Sequence, residues 1–255
     1  MDVFTYCVCS DTGSVRKRNE DSYDLLMLTL PDGRITLFSA IVCDGMGGHP
    51  AGDVASSLAC SMVHRSLLEL LASVPSPTRE DVIGIMGESV HASHRRLSTL
   101  ARSDPSLQGM GTTLIWAIAF SGEVFLAHVG DSRAYVWGQK GLCRATRDQT
   151  PVQRMVDRGE LTPSQARAHP LRHVVSQAFG LTSPLRPCLS WRRVAPGEGI
   201  LLCSDGLTDQ LTDDEIGSVL AREGENACDK LVAMANERGG RDNCTVAVLR
   251  CDQKG

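Results

Sequence analysis

The sequence predicts an α+β domain in which sheet packs on sheet with helices outside, and its segment order carries that expectation. Strand-like segments cluster at the start, in the middle and towards the end of the chain instead of alternating strictly with helices. Two amphipathic helices follow the first strands back to back, and a second pair precedes the final strand. With 255 residues and 42% hydrophobic content, the chain is long enough to bury a sizeable core, so one domain over 1–255 is expected.

Val3 to Cys9, Tyr23 to Leu30 and Arg34 to Cys43 read as strands, with Pro31-Asp32-Gly33 as the hairpin turn between the latter two. From Ala51 the spacing becomes helical: Val54, Leu58 and Met62 form one stripe, and Ala55, Ala59 and Val63 the stripe beside it. That helix must end before Pro75 and Pro77. Thr78-x-x-Asp81 is a capping signal for a second helix bearing Val82, Met86, Val90, Leu97 and Leu100, and the two helices should pack antiparallel. β character returns at Thr112 to Phe120, Glu123 to Val129 and Arg133 to Val136, between glycine-bearing turns.

The pattern weakens between Arg144 and Gly180 into short helices, each opened by a cap and a first-turn proline: Thr150-Pro151-x-Gln153 and Thr162-Pro163-x-Gln165. This segment, about 144–180, reads as a surface flap. Strands at Cys188 to Val194 and Gly199 to Cys203 follow, then a helix capped by Thr212-x-x-Glu215, another at Ala227 to Asn236, and a last strand from Cys244 to Leu249.

Composition excludes several function classes. Lys and Arg number 26 against 30 Asp and Glu, a net charge of −4, so no global attraction to nucleic acid or anionic lipid is expected. No apolar run approaches the roughly 18 residues of a membrane span, and the start lacks the layout of a signal peptide, so a cytoplasmic protein without membrane attachment is expected. The 10 cysteines show no Cys-x-x-Cys pair and are read as small buried hydrophobes instead of disulfide partners.

The chemistry is signalled by acids that end strands at glycine turns: Ile41-Val42-Cys43-Asp44-Gly45 and Leu201-Leu202-Cys203-Ser204-Asp205-Gly206. Asp131 follows His128-Val129-Gly130, and Asp242 directly precedes the last strand. Asp-Gly is also ordinary turn chemistry, and Asp32-Gly33 uses it that way. Gathered at one sheet edge, however, such acids would repel each other unless cations held them together. An all-oxygen set suits magnesium or manganese, and no Cys/His pattern marks structural zinc. His91-x-x-His94 comes nearest and reads as a solvated helix face.

At this point a family resemblance emerges. Ser10-Asp11-Thr12-Gly13-Ser14-Val15-Arg16-Lys17-Arg18-Asn19-Glu20-Asp21 resembles the opening motif of bacterial metal-dependent protein phosphatases of the 2C type. Asp44-Gly45-Met46-Gly47-Gly48-His49 with Gly52, Gly109-Met110-Gly111-Thr112-Thr113, Gly130-Asp131-Ser132-Arg133, Ser204-Asp205-Gly206-Leu207 and Asp242-Asn243 with Thr245 resemble its later signatures in order. The resemblance implies a four-layer α-β-β-α sandwich, two antiparallel sheets flanked by antiparallel helix pairs. It also implies hydrolysis of phosphoserine and phosphothreonine proteins by a hydroxide bridging two divalent ions, Mn2+ or Mg2+.

By that resemblance Asp44 bridges the two ions, the Gly45 carbonyl helps hold one, and Asp205 and Asp242 hold the other. Glu20 and Asp21 act through bound waters, and Asp131 with Asp205 serves a third, weaker ion. Arg16 matches the arginine that grips phosphate, whose planar fork of donors suits a dianion. His49 is a candidate proton donor to the leaving alkoxide, although Met46 stands where animal relatives carry a histidine. Gln149 replaces the histidine of many relatives and is expected near the flap, away from the metal ligands, and the histidine of His169-Pro170 is expected to pack. The implied partner is a bacterial serine/threonine kinase, of the kind that compact relatives accompany in cell-wall, stress or type VI secretion systems.

Competing readings fare worse. Cys244 and Arg250 have the spacing of thiol phosphatases, but the residues between them form a strand and cannot curl into a phosphate-binding loop. Gly45-x-Gly47-Gly48-x-x-x-Gly52 fits neither the dinucleotide fingerprint nor the P-loop. A catalytically inactive phosphoprotein-binding module should have lost metal ligands, yet Arg16 and all the aspartates are present.

Overall fold

The chain runs β1 (Val3–Asp11), β2 (Asp21–Thr29), β3 (Thr36–Met46), α1 (Ala51–Leu71), α2 (Arg79–Ser103), β4 (Gly111–Thr112), β5 (Leu114–Phe120), β6 (Glu123–Val129), β7 (Arg133–Gly138) and β8 (Gly141–Arg144). It continues through α3 (Pro151–Asp157), α4 (Pro163–Arg167), β9 (Cys188–Arg193), β10 (Gly199–Cys203), α5 (Asp205–Thr208), α6 (Asp213–Glu223), α7 (Ala227–Glu237) and β11 (Cys244–Asp252). These elements come from a computed structural model that describes residues 3–29, 36–46 and 51–252. The expected turn at Pro31-Asp32-Gly33, together with Gly47, Gly48 and His49, lies outside the described residues.

All the strand pairs are antiparallel. One sheet has the order β1-β11-β10-β7-β8 and the other β2-β3-β5-β6-β9, with β4 added beside β3. The period-2 alternation of strand side chains sorts residues into layers. Phe38, Ala40, Val42, Ile115, Ala117 and Leu126 of one sheet meet Ala134, Val136, Ile200, Leu202, Ala247 and Leu249 of the other. Their alternates Leu37, Ile41, Cys43, Trp116 and Phe125 turn outward to Ala55, Ala59, Val63, Met86 and Val90 of α1 and α2. On the far side Tyr135, Leu201, Val246 and Val248 meet Ile216, Leu220, Leu231 and Val232 of α6 and α7. The result is the four-layer α-β-β-α sandwich, and β3 and β5 read as unbroken apolar runs because both of their faces are covered.

The capping signals are realised. Thr78 Oγ1 accepts the Asp81 N–H at 3.2 Å while the Asp81 carboxylate accepts the Thr78 N–H at 2.9 Å. Thr162 with Gln165 and Thr212 with Glu215 form the same reciprocal box. Between the helical layer and the sheet, His64 lies between Asp24, 2.8 Å from Nδ1, and the Ser39 hydroxyl, 2.8 Å from Nε2, while Trp116 Nε1 donates to that hydroxyl at 2.7 Å. This Ser-His-Asp chain is a buried strut, because Ser39 has 0% exposure and nothing can reach it.

Several expectations need correction. Cys7 of β1 and Cys228 of α7 form a disulfide, with Cα atoms 6.1 Å apart, where only unpaired thiols were expected. Their sequence separation of 221 hid the pairing from any local pattern. Leu100 is exposed, because the buried stripe of α2 ends at Leu97. His94, read as part of a solvated face, is buried and accepts the Gly180 N–H at 3.0 Å. The sequence reading also missed β8, a short half-exposed strand, and α5, a single turn behind Asp205-Gly206.

Candidate functional site

Two adjacent strands create the first tension in the site. In the β2/β3 register Asp21 stands directly opposite Asp44, a like-charged cross-strand pair that costs stability unless something neutralises it. β3 continues to Met46, so Asp44 lies just inside the strand end instead of at it. Gly45 and Met46 then pair with Thr112 and Gly111. Thr112 Oγ1 donates to the Asp44 carbonyl at 2.8 Å, and Thr113 Oγ1 accepts the Asp44 N–H at 2.9 Å. Any side chain at position 45 would collide with the chain opposite: a Cβ there would fall 2.1 Å from the Gly52 carbonyl oxygen and 2.6 Å from that of Glu20.

The other sheet supplies the remaining acids. Asp205 opens α5 directly after β10, and Asp242 precedes β11. Glycine is required at 206 too, where a Cβ would lie 1.9 Å from the Asn243 carbonyl oxygen. Asp131 follows β6 on a loop held by the Gly130 N–H to Gln149 Oε1 at 2.9 Å and the Gln149 N–H to the Gly130 carbonyl at 2.8 Å. Gln149 therefore braces the residue beside Asp131 instead of standing apart from the acids. Arg133 grips Asp148 through Nε at 3.1 Å and Nη2 at 2.8 Å, with Arg144 on the same carboxylate.

Asp44, Gly45, Asp131, Asp205, Asp242, Glu20 and Arg16 all line one cleft of about 320 Å³ at the end of the sheets. Arg16 Nη2 donates to Asp242 Oδ2 at 2.7 Å. Asp21 sits beneath, 7% exposed, where Ser204 Oγ donates to one oxygen at 2.7 Å and the other has no partner among the described residues. Burial lifts the Asp21 carboxyl to about 7, against the hydrogen bonds from Ser204 and Thr245 and helped by Asp205 and Asp242. Burial also raises Asp44, with Asp21, Asp205, Asp131 and Asp242 adding repulsion, and raises Asp131 beside Asp205 and Asp148. Glu20 is raised by burial despite nearby Arg16.

These acids are poorly neutralised by the protein itself. Among the described residues, one guanidinium and one imidazole cannot balance the five carboxylates that line the cleft, and no donor reaches the second Asp21 oxygen. Such an all-oxygen set fits hard divalent cations. The tightest grouping of ligand atoms among the described residues is different: His173, Asp205 and Asp209 within 4.8 Å of one another.

Sequence reasoning missed two residues here. His173, from the segment between α4 and β9, lines the cleft with Nδ1 3.5 Å from oxygens of both Asp205 and Asp209, and these partners raise its pKa. His169 of His169-Pro170 is only partly buried and accepts the Leu171 N–H at 3.1 Å. Asn243 stands in the Asp242-Asn243 motif, which assigns it no role. Buried, it donates to the carbonyls of Thr12 and Arg18 at 2.9 Å each and accepts the Glu20 N–H at 2.8 Å, which fixes the loop bearing Arg16.

Paired antiparallel sheets between helical layers, with an acid-rich cleft at one end, define a class of four-layer sandwich proteins. Within that class, the chain belongs to the protein phosphatase 2C family, whose profile matches residues 14–233. It is 37% identical over 248 residues to the serine/threonine protein phosphatase PstP of Mycobacterium tuberculosis, covering 96% of this chain but only 45% of that relative. It is 32% identical to the serine/threonine phosphatase stp of Listeria monocytogenes, covering 96% of each. Among solved structures, the catalytic domain of PstP in complex with 2 manganese ions superposes with a TM-score of 0.82 at 32% identity, over 99% of this chain and 100% of that one. PppA, described as a key regulatory component of the type VI secretion system in Pseudomonas aeruginosa, superposes at 0.78 with 30% identity, over 97% of each.

Proposed function

We propose that this chain is a cytoplasmic protein serine/threonine phosphatase that hydrolyses phosphoserine and phosphothreonine side chains and opposes a bacterial serine/threonine kinase. The observation that carries the reading is the convergence of Asp44, Asp131, Asp205, Asp242 and Glu20 with Arg16 in one cleft. Asp44, the Gly45 carbonyl, Asp205 and Asp242 would hold two core ions, manganese or magnesium. Glu20 and Asp21 would act through water, and Asp131 would serve a third, weaker ion. When bound, such ions supply Lewis acidity and a water acidified to a nucleophile near neutral pH.

The chain's own residues do the rest. Arg16 presents two donors to the phosphate, oriented by Asp242. Asn243 and Thr113 hold the loop and strand that carry Arg16 and Asp44. His49 is the proposed donor of the proton that the serine or threonine oxygen needs on leaving. Residues 144–180 form the proposed flap of a single catalytic domain, and cell-wall or type VI secretion signalling is the proposed setting.

Phosphate release from a phosphothreonine peptide tests this, run with manganese, with chelator, and with Asp205→Asn confirmed folded by circular dichroism. Manganese-dependent turnover that collapses in the variant is expected. Activity indifferent to both chelator and substitution would refute the site.

A further inference from the structure

α2 carries a charged feature that the cleft does not use. A cavity of about 420 Å³ opens between its C-terminal half and residues 105–109 and 180–183. Arg95 and Arg102 line it, seven positions apart and therefore on one helical face. Among the described residues neither guanidinium has an ion pair or hydrogen bond, and no Asp or Glu lines the cavity. Asp104, the nearest acid in sequence, is occupied by the Ser106 N–H at 2.9 Å and hydroxyl at 2.7 Å. The floor is fixed, since His94 Nδ1 accepts the Gly180 N–H at 3.0 Å and Ser98 Oγ donates to the Gly180 carbonyl at 2.7 Å. Burial, with His91, Arg95 and Arg102 nearby, holds His94 below its ordinary pKa, which leaves the arginines as the charge of the wall.

One seam joins this cavity to the cleft. Thr112 pairs with Gly45 on one side and with Phe179 on the other, and Leu181 closes on Gly111, the partner of Met46. Neighbouring strands lie about 4.8 Å apart, so Phe179 stands roughly 10 Å from Gly45, a span an extended peptide crosses in about three residues. Arginine forks pair well with carboxylates, and the exposed Leu181 offers an apolar wall beside them.

We infer that this cavity docks an acidic segment of the phosphoprotein substrate, with carboxylates starting about three residues from the phosphorylated side chain. The inference rests on the phosphatase reading above and adds a substrate class to it.

The test compares phosphothreonine peptides with three glutamates, or three glutamines, placed from the third position on either side. They are assayed at low salt with manganese against the full chain and Arg95→Glu/Arg102→Glu. The wild type is expected to favour a glutamate peptide by roughly tenfold in kcat/KM, mostly through KM. Charge reversal should abolish that preference while turnover of the glutamine peptide and of p-nitrophenyl phosphate stays at the wild-type level. Should the reversal fail to fold, Arg95→Gln/Arg102→Gln is expected to lose the preference as well. Equal kcat/KM for both peptides in the wild type, or a preference that survives the substitutions, overturns the subsite. If no phosphopeptide is turned over at all, the phosphatase reading falls instead. Binding of the intact acidic peptide, followed by fluorescence anisotropy, then decides the subsite: loss on charge reversal supports it, and equal binding by both proteins overturns it.

Discussion

Arg16 is proposed to serve both the resting and the working site. Its donor now rests on Asp242, and a phosphate dianion would recruit the rest of the fork. Arg16→Ala is expected to lower kcat/KM on a phosphopeptide by roughly 10- to 150-fold, the equivalent of one charge-assisted hydrogen bond of about 1.5–3 kcal/mol, with Arg16→Lys recovering part of it. His128 makes a different prediction. Burial, against the nearby Asp148 carboxylate and with Arg144 adding to it, pushes it down to about 4, and among the described residues neither ring nitrogen has a side-chain partner. The unfolded chain takes up a proton near 6.5 that the folded state refuses until about 4, so stability is lost as pH falls through that window, by up to about 3 kcal/mol. Urea titrations across pH 4 to 7 should show a flatter profile for His128→Leu than for the wild type. Residue identity was highly legible in the sequence where motifs are contiguous, as with Asp44-Gly45 and Asp205-Gly206. It was illegible for His173, which reaches Asp205 only through the fold.

At the scale of elements, helix starts and strand runs were readable because caps and alternation are local chemistry. Thr78, Thr150, Thr162 and Thr212 all cap the helices that the sequence assigned to them. What stayed hidden were contacts between elements, such as Gln149 bracing the loop before Asp131. The strut from Asp24 through His64 to Ser39 is another, joining β2 and β3 to α1. Ser39→Ala removes the hydroxyl that satisfies both His64 and Trp116, leaving buried polar atoms unpaired. A loss of about 1–3 kcal/mol in unfolding free energy is expected, with kcat unchanged at 25 °C. A fall in kcat without a fall in stability would instead make this chain part of the reaction.

Across the whole molecule, the proposed metal centre and the fold should be thermodynamically linked. Asp21 ionises near 4 when unfolded but is lifted to about 7 in the fold, so the metal-free protein loses stability as pH rises between those values. Cations that bind the ionised acids remove this penalty. The rise in melting temperature on adding manganese should therefore be larger at pH 7 than at pH 5, and a rise independent of pH would contradict the linkage. The disulfide ties β1 to α7 across the sequence, and Cys7→Ser is expected to cost about 2–5 kcal/mol while the assembled cleft keeps its activity.

The pairing of the first strand with the last has a further consequence, for synthesis. β1 lies against β11 from Val3↔Asp252 to Asp11↔Cys244, and Asn243 closes the loop that carries Arg16. A ribosome adding about 5–20 residues per second needs roughly ten to forty seconds to travel from β2 to β11. Until α5 and β11 emerge, the nascent chain holds Glu20, Asp21 and Asp44 without both Asp205 and Asp242 to complete their cleft. On the proposed function, the growing polypeptide stays silent towards phosphoproteins until β11 has emerged to complete the cleft.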